Sequence, residues 1–161
     1  MKNKKAFTLI ELLIVIAIIA IIAGIVFVAL NPLARFAAAR TSRRWADASA
    51  VLTAIKVNQI DNGGAYCTSI TAMQNGIVYM IGTSTTGAQQ TCQTTIGTSS
   101  AVDLTALVTG GYLGSVPVSP SGNYTYYNGS TTGYTLTKAT SGLITITACD
   151  TESTPQPSVS R

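Results

Sequence analysis

An α+β fold, one long N-terminal helix packed against a small antiparallel β-sheet, is the class that this 161-residue chain predicts. Three observations lead there. Residues 7–30 form an apolar run with a single charge, and apolar positions then recur at helical spacing to about residue 60. Beyond that point charged residues nearly vanish and Thr, Ser, Gly and Tyr take over. Between 123 and 149, short alternating segments are separated by Gly129, Gly133 and Gly142, the spacing of an antiparallel meander.

Composition excludes several functions. With 10% charged and 47% hydrophobic residues the chain is too apolar to be disordered. It has no histidine, three Cys and six Asp+Glu, with no G-x-S-x-G, no P-loop and no carboxylate pair in a catalytic context. No enzyme activity, cofactor or metal is expected. The net charge of +4 is concentrated in Lys2, Lys4 and Lys5; without these three, seven basic residues face six acidic ones. The basic balance therefore belongs to a leader, not to a nucleic-acid surface.

Residues 1–6 are that leader. The run 7–30, FTLIELLIVIAIIAIIAGIVFVAL, is long enough to cross a bilayer, where ~20 apolar residues suffice. The lysines before it place the N-terminus in the cytoplasm and the rest of the chain outside. The run exceeds a secretory h-region and no A-x-A site closes it. Glu11 is the anomaly. A carboxylate in an apolar span costs roughly 2.5–3.5 kcal/mol on insertion scales and usually has a partner. No basic residue lies within a turn of it once residues 1–6 are gone. Cleavage between Ala6 and Phe7 would create a cationic amine at Phe7, at the depth of Glu11. One helix aims the two poorly, but two chains stepped along an axis can join them. Glu11 is then an assembly device, costly alone and neutralised by a neighbour.

At these residues the chain resembles a known family. KKAFTLIELLIVIAIIAIIAG is similar to the class III signal and N-terminal helix of type IV pilins and of the pseudopilins of type II secretion. Phe7, Thr8, Leu9, Ile10, Glu11 and Leu12 match the F-T-L-I-E-L pattern position by position. The family usually has Gly where Ala6 stands; both are small. The resemblance implies cleavage after Ala6 by a prepilin peptidase and N-methylation of Phe7. It also implies contact between Glu11 and the Phe7 amine of an adjacent subunit in a helical homo-oligomeric filament. An inner-membrane assembly platform and a motor ATPase are further partners it implies.

Asn31-Pro32 interrupts the apolar pattern, and Pro32 is the expected helix break or kink. Residues 31–61 read as the amphipathic half of one helix running from about 8 to 60, ~80 Å at 1.5 Å per residue. Trp45, Ala48, Leu52 and Ile55 form its apolar stripe, with Arg40, Arg44, Asp47 and Lys56 off it. DNGG at 61–64 stops it. Arg35, Arg40, Arg43 and Arg44 form a basic cluster for headgroups, for acidic groups of a neighbouring subunit or, more weakly, for DNA.

Residues 62–150 make the globular head. Residues 62–99 read as a loop region with one strand in GIVYMIG at 76–82. A short helix at 101–109 opens on a Ser100–Asp103 capping box. The sheet spans 123–149, from NYTYYN, GYTLTKA and LITITAC, with Ile144, Ile146 and Ala148 on one face. GYLGSVPVSPSGNYTYYN resembles the segment before the sheet in major pseudopilins, with Ser119 where those proteins often carry Asp. No Asp or Glu lies between Asp103 and Asp150, so the calcium loop of secretion pseudopilins is not expected. Cys92–Cys149 is the favoured disulfide, with Cys67–Cys92 and Cys67–Cys149 as alternatives. Asn123 and Asn128 match N-x-S/T, and residues 151–161 read as a flexible tail. A major pilin is the leading expectation. A type II secretion pseudopilin and a monomeric membrane-anchored binding domain are the rivals.

Overall fold

A computed structural model describes residues 7–83, 101–120, 127–150, 152 and 154–161. The chain divides into two compact units, Met1–Phe36 and Ala37–Arg161.

The first unit is dominated by α1, Leu9–Leu30, which buries none of its residues within the chain. Its apolar side chains face outward on every side: Leu9, Ile16, Ile22 and Phe27 are all more than half exposed. A helix apolar all round needs a surrounding that is itself apolar, a bilayer or like helices. The run is long and apolar enough to cross a membrane.

The helical run Leu9–Asp61 does not pass uninterrupted through Pro32. It breaks one residue earlier, at Asn31, which adopts a left-handed conformation (φ 38°, ψ 72°). Pro32 is instead the first residue of α2, Pro32–Asp61. The reason is local. A proline disfavours the α conformation in the residue before it, and at the first helical position its missing N–H costs nothing. The amide of Ala34 donates to Asn31 Oδ1 at 3.5 Å, so the residue that breaks one helix begins the next.

In the second unit α2 packs one face on a sheet. Ala48, Val51, Leu52, Ala54 and Ile55 join Tyr134, Leu136, Ile144, Ile146 and Ala148 in a single core. The stripe differs from expectation at one turn: Trp45 is 38% exposed, whereas Arg44 is fully buried. The predicted stop at 61–64 is a Schellman ending. Gly63 lies at φ 65°, Gly64 N donates to Gln59 O at 2.7 Å and Gly63 N to Ile60 O at 3.2 Å.

Five strands form the sheet: β1 Val78–Ile81, β2 Ala101–Val102, β3 Tyr134–Lys138, β4 Ile144–Ala148 and β5 Ser158–Ser160. Their spatial order is β2-β1-β3-β4-β5. All neighbours are antiparallel except β1 and β2, so the sheet is mixed, not purely antiparallel. Alternation sets the two faces. Tyr79, Ile81, Leu136 and Ile146 turn to the helix, while Val78, Met80 and Cys149 form a smaller cluster on the other side with Tyr127.

Two short helices, α3 Thr68–Thr71 and α4 Thr105–Thr109, close the core with Ile70 and Leu107. The helix expected from 101 begins at Thr105, because Ala101 and Val102 satisfy their backbone in the sheet. Asp103 Oδ1 accepts from Thr105 N at 2.8 Å, so Asp103 is the acceptor that opens the turn. Tyr127 and Asn128, the described end of the first expected strand, lie outside the sheet; residues 123–126 are outside the described residues.

The C-terminal segment is not a loose tail. β5 pairs with β4 in the register Thr145↔Ser160, Ile146↔Val159 and Thr147↔Ser158. Ile144 and Arg161 exchange backbone hydrogen bonds at 3.1 and 3.0 Å, and Ala148 N donates to Pro157 O at 2.9 Å. Its polarity hid it: an edge strand is solvated on one side and needs few apolar residues. Deleting residues 157–161 should therefore cost several kcal/mol, at roughly 1 kcal/mol per hydrogen bond lost. A urea titration followed by Trp45 fluorescence checks this. An unchanged midpoint would return the segment to the status of a tail.

Candidate assembly site and the buried charge cluster of the head

At the start of α1, Thr8 is the N-cap, in an extended conformation (φ −82°, ψ 152°). Glu11 turns back on it. Glu11 Oε2 accepts from Thr8 N at 2.8 Å and from Thr8 Oγ1 at 2.9 Å, and Glu11 N donates to Thr8 Oγ1 at 3.3 Å. This is a full capping box, which satisfies backbone donors that a helix start leaves open. The carboxylate also sits at the positive end of the helix dipole. Among the described residues Oε1 takes no hydrogen bond, and the residue stays exposed. Phe7, 86% exposed, immediately precedes the cap. Glu11 thus has one oxygen committed to its own helix and one free for another partner.

The T-x-x-E pattern at Thr8–Glu11 was present in the sequence as a capping signal. It makes Thr8 a positioning residue for the Glu11 carboxylate, legible from its three-residue spacing and not from charge.

The second site lies wholly within the head. Arg44 points from α2 into the core with no exposed surface, and each of its three side-chain nitrogens donates. Nε donates to Ser119 Oγ at 3.1 Å, Nη1 to Glu152 Oε2 at 2.6 Å, and Nη2 to Pro120 O and Asp150 Oδ2, both at 2.9 Å. One turn earlier Arg40 holds Glu152 through Nε, at 3.0 and 2.9 Å, and through Nη2 at 2.5 Å. Two cations and two anions balance. The hydrogen bonds from Arg40 hold the Glu152 carboxyl below its usual range, with Arg44 adding to the pull. Asp150 is pushed the other way: burial raises it, against the attraction of Arg44. Asp150 Oδ1 is buried and has no hydrogen-bond partner among the described residues. Beside it Tyr134 Oη donates to Asp47 Oδ2 at 2.7 Å, and burial followed by this bond raises the tyrosine above its ordinary range.

This arrangement corrects the reading of four arginines as one external patch. Arg40 and Arg44 are spent on Glu152 and Asp150 of the same head. Arg43 is exposed and only 3.8 Å from Asp47, and Arg35 is exposed in the other unit. Half the charge available to DNA or to a neighbouring subunit is removed.

Ala6 and Cys92 lie outside the described residues. Cys149 is disulfide-bonded and Cys67 is free. Cys149 sits on the sheet face turned away from α2. Among the described residues no group of three or more His, Cys, Asp or Glu is placed to hold a metal ion.

Residues 1–27 match the family model described as the prokaryotic N-terminal methylation motif, the class III signal of type IV pilins and pseudopilins. No curated protein and no solved structure matches the chain.

Proposed function

We propose that this chain, whose first 27 residues carry that signal, is a structural subunit of a type IV pilus-like filament and its major pilin. The observation that carries the reading is a carboxylate on a helix with no buried residue, four positions after Phe7 and with one oxygen unused. After cleavage behind Ala6, the Phe7 amine of one subunit meets Glu11 of the next. Leaving the bilayer costs the helix little if it enters a bundle of equally apolar helices. The head then forms the filament surface. A Cys92–Cys149 disulfide staples it, worth about 2–4 kcal/mol. A prepilin peptidase, an assembly platform and a motor ATPase complete the system.

One observation favours a rival. The Thr8–Glu11 capping box gives Glu11 a use inside a single chain, which suits a monomeric membrane-anchored domain. Shearing cells and separating surface filaments from membranes distinguishes the two. The filament reading expects the subunit as the main protein of a fibrous sheared fraction. Its confinement to the membrane fraction would favour the anchored domain.

A further inference from the structure

Three Asn-Gly pairs occur in the head: Asn62-Gly63, Asn75-Gly76 and Asn128-Gly129. In such a pair the glycine amide nitrogen can attack the asparagine carboxamide carbon, because no side chain shields it. The structure separates the three by what that nitrogen is doing. Gly63 N donates to Ile60 O at 3.2 Å in the helix ending, and Gly76 N donates to Lys138 O at 2.8 Å. Both nitrogens are held in backbone hydrogen bonds that must break before attack. Gly129 N has no hydrogen bond among the described residues.

The carboxamide of Asn128 is also set apart. Its Oδ1 accepts from Ser130 N at 2.8 Å, from Thr131 N at 3.0 Å and from Thr131 Oγ1 at 3.4 Å. Those donors polarise the carbonyl and remain in place as negative charge develops on the oxygen during attack, as an oxyanion hole does. Among the described residues its Nδ2 makes no hydrogen bond.

We propose that Asn128-Gly129 is a self-modification site, where the Gly129 amide nitrogen displaces ammonia from the Asn128 carboxamide. The nitrogen–Cγ bond forms, the Gly129 amide proton passes to solvent base, and the Cγ–Nδ2 bond breaks with loss of ammonia. The resulting succinimide takes up one water and opens to aspartate or isoaspartate. No oxidant or reductant is needed. The product places a carboxylate in a stretch that has none between Asp103 and Asp150. The isoaspartate form also lengthens the backbone inside the turn closed by Asn128 N to Thr131 O at 3.0 Å and Thr131 N to Asn128 O at 3.2 Å. The exposed turn of the head thereby acquires charge with age.

The test is incubation of the full chain in detergent, in mildly alkaline heavy-oxygen water, followed by fragmentation mass spectrometry that resolves the three pairs. Folded protein should gain about three mass units at Asn128 several-fold faster than at Asn62 or Asn75. In urea all three should react at similar rates. Gly129→Ala should slow the reaction several-fold without loss of fold, because a methyl there meets nothing within 4 Å. Equal or faster reaction at Asn62 or Asn75 in folded protein would overturn the proposal. So would an unchanged rate at Asn128 in Gly129→Ala.

Discussion

Glu11→Gln should leave the chain in the membrane with α1 intact and abolish filaments, and Glu11→Ala should do the same with a weaker helix start. The pair of variants separates two uses of one side chain. Glutamine retains an oxygen for Thr8 N, so the capping box that Glu11 makes at 2.8 Å survives. What it lacks is the charge. An amine buried among apolar helices without its counter-ion is costly, and breaking a buried pair by removing one partner costs about 3–5 kcal/mol. At about 1.4 kcal/mol per tenfold, that is more than a hundredfold against each subunit added. The loss recurs at every step of a polymer, so a filament should not form. Electron microscopy of the sheared surface, with immunoblots of the membrane fraction, reads both effects. Normal filaments from Glu11→Gln would confine Glu11 to the capping role.

Arg44→Met should unfold the head more readily than any surface substitution. The side chain has no exposed surface and bonds Ser119, Pro120, Asp150 and Glu152. Methionine fills a similar volume, so the loss is chiefly electrostatic. Asp150 and Glu152 are left buried with Arg40 alone, an uncompensated charge worth about 3–5 kcal/mol. Trp45, the one tryptophan, adjoins the site in sequence and reports the transition. Adding Asp150→Leu and Glu152→Met should recover much of the stability, because the buried ionic groups can be exchanged for packed apolar ones at little cost, and Arg40, a third exposed, can turn to solvent. A single variant as stable as the parent, or a triple variant no better than the single, would refute this description.

The contrast between these two sites explains what sequence can reveal. Glu11 stood out because its neighbours along the chain are apolar and its geometry is local. Its cap was equally legible, as T-x-x-E, three residues apart. Arg44 carried no such mark: its partner Glu152 is 108 residues away, and only the fold joins them. From sequence alone Arg44 reads as one of four solvated arginines, and Trp45 as the core residue beside it. The same holds in the sheet. Ile144, Ile146 and Ala148 announced a buried face by alternation, and the structure buries all three. Val159 lies between two serines in a polar segment, and its strand exists because β4 offers an unpaired edge. Local chemistry also corrected the helix: a proline was visible, but its preference for the first helical position moved the break to Asn31.

The measurement that bears most directly on the assembly role is the mass of the N-terminal peptide from a sheared surface fraction. The account predicts a peptide beginning at Phe7 with its amine methylated, exported and freed of residues 1–6. A protein found only in membranes, with residues 1–6 still attached, would deny Glu11 its partner amine and contradict the account.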